Sequence, residues 1–236
     1  MALDTRAKNT SKVGTLWGST IGKKAAMAVT GIIMVAYLVA HMAGNLKIFS
    51  GPDDFNDYSH FLRTIGSPMV PYGGVLWILR IILLVSVVVH IVAAVQLSRR
   101  GIRGRAWRKG SRSRGDYLTF TMRSGGVVLG LFVVWHLLDL TLLVVNTNAQ
   151  AGHPYENVVA TFSSWYGNAI YLAALLALGF HLRHGIWSAV QTLGAGTESR
   201  DRALKVIANS VAIVITVGFM AVPISVMTGV VSLYAK

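Results

Sequence analysis

The chain has 236 residues, of which 53% are hydrophobic and only 13% charged, where a soluble domain carries about 25% charged residues; this excludes an ordinary water-soluble globule and a disordered chain. Lys and Arg number 22 against 9 Asp and Glu, giving a net charge of +13, and there is no cysteine. Disulfides, thiolate-held iron–sulfur clusters, cysteine zinc sites and covalent c-type haem are therefore excluded as well.

Crossing a bilayer takes about 20 mostly apolar residues, and five stretches satisfy this. The first runs from Ile21 to Phe49, behind Arg6, Lys8, Lys12, Lys23 and Lys24. It is longer than the apolar region of a signal peptide and contains His41, so a retained span is expected. The loop after it holds Asp53, Asp54, Asp57 and His60 but only Lys47 and Arg63 as fixed cations. The second span, Tyr72 to Leu97, contains Arg80 and His90. A basic loop follows, with Arg99, Arg100, Arg103, Arg105, Arg108, Lys109, Arg112 and Arg114. The third span, Tyr117 to Val145, contains Arg123, His136 and Asp139, and the loop behind it has no Lys or Arg. The fourth, Trp165 to Leu193, contains His181 and His184 and leads to Arg200, Arg202 and Lys205. The fifth, Leu204 to Tyr234, carries Pro223, which should kink it.

The pattern predicts an all-α integral membrane protein of five helices. Residues 1–236 form a single transmembrane domain: four helices in a bundle plus a fifth. Positive charge alternates between loops, so the N-terminus is expected in the cytoplasm and the C-terminus outside. The basic loop reads as a topogenic, lipid-facing segment that can also dock a soluble partner. No aromatic ladder interleaves its charges, so nucleic-acid binding is not expected.

An ionisable side chain inside a span is costly and marks function by default. Each of the first four spans has a histidine. At about 1.5 Å of rise per residue, His41 and His136 lie roughly 9 and 4–5 Å to the outer side of their span centres. His90 and His181 lie roughly 7 and 5 Å to the inner side. The spans alternate in direction, yet the histidines sort into an outer and an inner pair. Each pair can clamp a planar ligand between two helices, and two bis-histidine b haems stacked across the membrane are the simplest occupant. Zinc or di-iron would want more ligands, with carboxylates or thiolates among them. A His/Asp proton-coupled transporter is the rival, resting on the single acid Asp139. Depth does not separate His181 from His184, three residues on along nearly the same face. Arg80 and Arg123 are candidate partners of haem propionates, with snorkelling to headgroups as the alternative.

Four segments together resemble a known family. They are VTGIIMVAYLVAHMAGNL around His41, FNDYSHFLR in the first outer loop, LRIILLVSVVVH up to His90, and GFHLRHGIWS around His181. The chain resembles the cytochrome b membrane anchor of succinate dehydrogenase, in the single-anchor, five-helix, dihaem class related to quinol:fumarate reductase anchors.

The resemblance implies a multi-pass protein of a bacterial plasma membrane with two haem b. His41 and His136 would be the distal ligands, and His90 and His181 the proximal ones. It favours His181 over His184. It implies a flavoprotein subunit and an iron–sulfur subunit on the cytoplasmic side, the latter passing electrons through the two haems to a quinone, with menaquinone expected. The quinone is expected near the outer haem, with Tyr58, His60, Arg63 and Asp139 as candidate polar groups. Certain fumarate reductase anchors carry a glutamate two residues before the fourth-span ligand and an acid in the first outer loop. Here those positions are Gly179 and Arg63, so succinate oxidation is the expected direction. The alternative is a dihaem anchor of another complex, a fumarate reductase, nitrate reductase or hydrogenase.

Overall fold

The computed structural model describes residues 17–106, 114–194 and 197–233. Arg6, Lys8 and Lys12, Arg108, Lys109 and Arg112 of the basic loop, and Tyr234 lie outside the described residues.

Helix α1 spans Thr20–Leu46, its start capped by Ser19, which accepts a hydrogen bond from Gly22 N at 2.8 Å. A short 3-10 turn, Lys47–Ser50, leads to α2, Pro52–Thr64. Proline in its first turn, followed by Asp53 and Asp54, suits a helix start. Gly51 precedes it with φ of 104°, a backbone open to glycine and strained for other residues. Helix α3 is Gly74–Ala106 and α4 is Arg114–His136. Helix α4 runs into one wide π-turn, Leu137–Thr141, whose Leu142 N donates to Leu137 O at 2.7 Å. Helix α5 is Pro154–Phe162, α6 is Trp165–Thr192 and α7 is Glu198–Met227.

Among the described residues, five segments are long and apolar enough to cross a membrane: Thr20–Ser50, Gly74–Ile102, Phe120–Thr141, Trp165–Thr192 and Ser199–Met227. They match the five expected spans in order and differ at the ends. The third stops at Thr141 because the π-turn unwinds the helix there, and Leu143 takes a positive φ of 56°. The fifth starts earlier than Leu204 and ends at Met227, where Thr228 and Gly229, the latter with φ of 76°, turn the chain. Pro223 sits inside α7 without ending it. The two outer loops were expected as loops; each instead contains a helix, α2 or α5.

Most large apolar side chains on the spans are exposed, among them Ile81, Leu84, Val127, Leu131, Ile213 and Val217, as expected when lipid replaces water. The closely packed helix pairs include α6–α7, α1–α3, α1–α6, α4–α6 and α1–α7. One buried cluster joins Phe55 of α2, Tyr155, Val159 and Phe162 of α5, Tyr171 of α6 and Val222 of α7. Asn56 fixes α2 to α5: its Oδ1 accepts from Tyr155 N at 3.0 Å and its Nδ2 donates to Glu156 at 3.2 Å. Tyr155 donates to Ser232 O at 3.1 Å. The two short helices thus form a lid over the end of the bundle opposite the start of α1.

At the other end, Arg100 of α3 donates to Gly18 O at 2.9 Å and Thr20 Oγ1 at 3.1 Å. Asp201 of α7 accepts from Trp187 Nε1 at 2.8 Å and Gln191 Nε2 at 3.0 Å, tying α7 to α6.

Candidate functional site

The four span histidines meet as two pairs. His41 of α1 and His136 of α4 have ring centroids 5.9 Å apart, nearly perpendicular at 79°. His90 of α3 and His181 of α6 have centroids 6.4 Å apart, inclined at 58°. A metal–imidazole nitrogen bond is about 2 Å long, so two imidazoles on opposite sides of one metal hold their ring centres roughly 6 Å apart. Both pairs have that spacing. Neither α1 with α4 nor α3 with α6 is among the closely packed helix pairs, so each histidine pair reaches across a gap between helices. Among the described residues, no group of three or more His, Asp or Glu converges as a metal site.

The pair nearer the lid is set in aromatic rings. Tyr37 stacks on His41 at 5.2 Å and Phe219 lies 5.7 Å from it. Phe132 lies 5.8 Å from His136. His136 Nδ1 is 3.2 Å from the Tyr171 hydroxyl, and that hydroxyl donates to Asp139 Oδ2 at 2.8 Å. Thr161 Oγ1 lies 3.2 Å from both carboxylate oxygens and donates to them. Asp139 is 3% exposed, held inside the π-turn rather than in a regular helix. A polar cavity of about 150 Å³ borders it, lined by Trp135, Asn146, Asn148, Thr161, Ser164 and others.

The second pair has unequal supports. His90 Nδ1 lies 3.1 Å from Met27 O and 3.3 Å from Thr30 Oγ1, both on α1. Met27 O can only accept, so Nδ1 carries the proton and Nε2 is left free. His181 Nδ1 is buried without a hydrogen-bond partner among the described residues. Glycines face both rings: a Cβ on Gly31 would lie 3.5 Å from His90 Cε1, and one on Gly126 would lie 3.8 Å from His181 Cε1. His184 turns elsewhere, its ring 5.8 Å from Trp187. The geometry therefore separates two residues that depth leaves equivalent: His181 meets His90, and His184 does not.

The other expected site residues divide. Arg80 is exposed, with its guanidinium 5.0 Å over the Trp77 ring. Arg123 donates through Nη2 to Ser98 O at 3.3 Å, while its Nε is buried without a partner among the described residues. Tyr58, His60 and Arg63 share α2. Arg63 donates to Ser59 O at 2.8 Å and Ser59 Oγ at 2.6 Å. His60 is exposed beside Tyr72, at 6.1 Å. The Tyr58 ring packs against Gly44 and lies 5.3 Å under Lys47 Nζ. Asp139 lies at the same end of the bundle but takes Tyr171 and Thr161 as partners, not the α2 residues. Gly179 lies against Thr216 of α7, whose Oγ1 would be 2.8 Å from an added Cβ, so a larger side chain meets an occupied position. Tyr171 and Thr161 were not foreseen as site residues. The only prior signal was a lone acid in a span, which needs a donor.

The family described as the succinate dehydrogenase/fumarate reductase transmembrane subunit matches residues 103–220, half of the 236-residue chain. The matched stretch includes His136, Asp139, Tyr171 and His181; His41 and His90 precede it. No curated protein and no solved structure matches the chain. With five membrane-spanning helices and this match, the chain belongs to the succinate dehydrogenase/fumarate reductase transmembrane subunit family, the multi-pass membrane anchor of a respiratory oxidoreductase complex.

Proposed function

We propose that the chain is the dihaem cytochrome b anchor of a succinate:quinone oxidoreductase, with His41 and His136 ligating one b haem and His90 and His181 the other. The observation that carries this is the meeting of four intramembrane histidines as two pairs, each near the ring spacing of two imidazoles on one metal. The donor set fits haem iron: imidazoles only, with no thiolate and no converging carboxylates. The buried, partnerless Nδ1 of His181 and the glycines facing both inner rings fit a ligand pocket as well. Bound there, haem supplies one-electron transfer between the soluble subunits and the quinone.

The remaining work falls to the chain. Met27 O holds His90 in the tautomer that presents Nε2. Arg123, with its free buried Nε, suits a haem propionate, whereas exposed Arg80 suits a lipid headgroup. The end bearing the start of α1 and Arg99, Arg100, Arg103 and Arg105 is the cytoplasmic one by its charge, and the flavoprotein and iron–sulfur subunits dock there. The quinone, with menaquinone expected, is handled near His41 and His136 under the α2–α5 lid. Exposed His60 can exchange a proton with a quinone oxygen there, with Tyr58 and Arg63 beside it on α2. The absence of room at Gly179 supports succinate oxidation without a glutamate proton path at that position.

The test is a pyridine haemochrome assay with a reduced-minus-oxidised spectrum of the purified complex. Two haems b per chain are expected, with one lost in His41→Ala or His136→Ala and the other in His90→Ala. A wild type with one haem or none overturns the reading.

A further inference from the structure

Asp139 is a buried acid that lies outside both histidine pairs, and the role inferred for it rests on the haem-ligand reading of His136. The Tyr171 hydroxyl has one proton, and the short 2.8 Å contact commits it to Asp139 Oδ2. The same oxygen is 3.2 Å from His136 Nδ1 and, with its proton spent, can only accept there. His136 is thereby held with its proton on Nδ1 and its Nε2 bare. Thr161 donates to Asp139 from the other side and fixes the carboxylate. Phe132 and Phe162 pack nearly perpendicular to the Tyr171 ring, with centroids 5.0 and 4.9 Å away, so the phenol has little freedom to turn away. The π-turn just after His136 brings Asp139 into this line.

We propose that Tyr171 and Asp139 are positioning residues for the His136 ligand: a His136–Tyr171–Asp139 hydrogen-bond chain fixes the tautomer and plane of the imidazole and raises the basicity of its Nε2. Outer partners of a ligating histidine act in this way. A more basic ligand stabilises the oxidised iron, so the chain lowers the reduction potential of the haem held by His41 and His136. The other pair is built differently. Among the described residues, His90 donates to a backbone carbonyl and His181 Nδ1 has no partner, so neither has an acid at the end of its line. The two haems are thus made unequal by their ligands' supports.

The experiment is a redox titration of both haems, followed by absorption, in the purified complex carrying Tyr171→Phe, Asp139→Asn, or both. Phenylalanine keeps the ring that Phe132 and Phe162 pack against, and asparagine keeps the shape of the acid. Both haems are expected to remain bound in Tyr171→Phe, with the potential of the haem lost in His136→Ala shifted upward and the other unmoved. Asp139→Asn should shift the same haem in the same direction by less. The double variant should match Tyr171→Phe alone, because Asp139 acts through Tyr171. If Tyr171→Phe does not assemble, the shift in Asp139→Asn decides alone. Unchanged potentials with both haems retained, or equal shifts of both haems, overturn the proposal while leaving the ligand assignment standing. A wild type without b-type bands instead removes the reading beneath it.

Discussion

His90 and His181 face one another at 6.4 Å, but only His90 is held from behind: its Nδ1 rests on Met27 O while the Nδ1 of His181 is buried with nothing to bind. The ring of His181 is therefore oriented by packing, and in the proposed assignment also by the iron it would ligate. His181→Ala is expected to remove one haem and leave the other. His184→Ala, which alters a ring set against Trp187, is expected to keep both. Haem content per chain, with the spectrum of the remaining haem, checks this; loss of haem in His184→Ala would move the ligand by one turn.

Gly31 stands where a side chain would press on His90. A Cβ alone would make an ordinary contact at 3.5 Å, so Gly31→Ala should be nearly silent. Gly31→Leu adds volume in a packed setting, a change that typically costs about 1–3 kcal/mol. It is expected to reduce occupancy of the His90–His181 site with the other haem retained. Haem stoichiometry of the two variants separates volume from mere loss of glycine.

The lack of cysteine makes orientation directly measurable. Asp53→Cys on the exposed face of α2 should react with a membrane-impermeant maleimide added to intact cells. Ser199→Cys at the opposite end of the bundle should react only after the membrane is opened. The reverse pattern would invert the topology and with it the docking side of the soluble subunits.

Tyr155 ties α5 to the turn after α7 through its bond to Ser232 O. Burial, and then the nearby Glu156 carboxylate, push its hydroxyl above the usual tyrosine range. A raised folded-state pKa means stability that is fully present below the unfolded value of about 10 and is lost as pH rises past it. Thermal stability should therefore fall above about pH 10, and less steeply in Tyr155→Phe. At neutral pH, Tyr155→Phe should cost about 1 kcal/mol, one ordinary hydrogen bond. Thermal melts of both forms across pH measure the two effects together.

The five spans and the histidine pairs were legible because they rest on long-range regularities: apolar length, and depth counted at a fixed rise per residue. The lid was not. Helices α2 and α5 are short, and their start signals at Pro52 and Pro154 lie in segments that otherwise read as polar connections. Tyr171 was hidden for another reason. It lies ten residues before His181, on a helix where any aromatic reads as packing, and its role depends on which face meets Asp139. Depth left His181 and His184 equivalent and only the resemblance favoured His181; the ring contacts differ because His90 on the partner helix meets His181, while His184 lies against Trp187.

The π-turn at Leu137–Thr141 has a consequence for alignment and for length. A wide turn accommodates one residue more than an α-turn does, so this segment carries in effect a one-residue insertion directly behind a candidate ligand. Deleting a single residue there would let the α ladder close. It would also swing Asp139 off Tyr171 and shorten the approach to Asn146, with no side chain of the four histidines changed. Spacing between His136 and the loop is thus a coded quantity in its own right. Relatives that place a gap at this point are expected to lack the acid, and those that keep the extra residue to keep it.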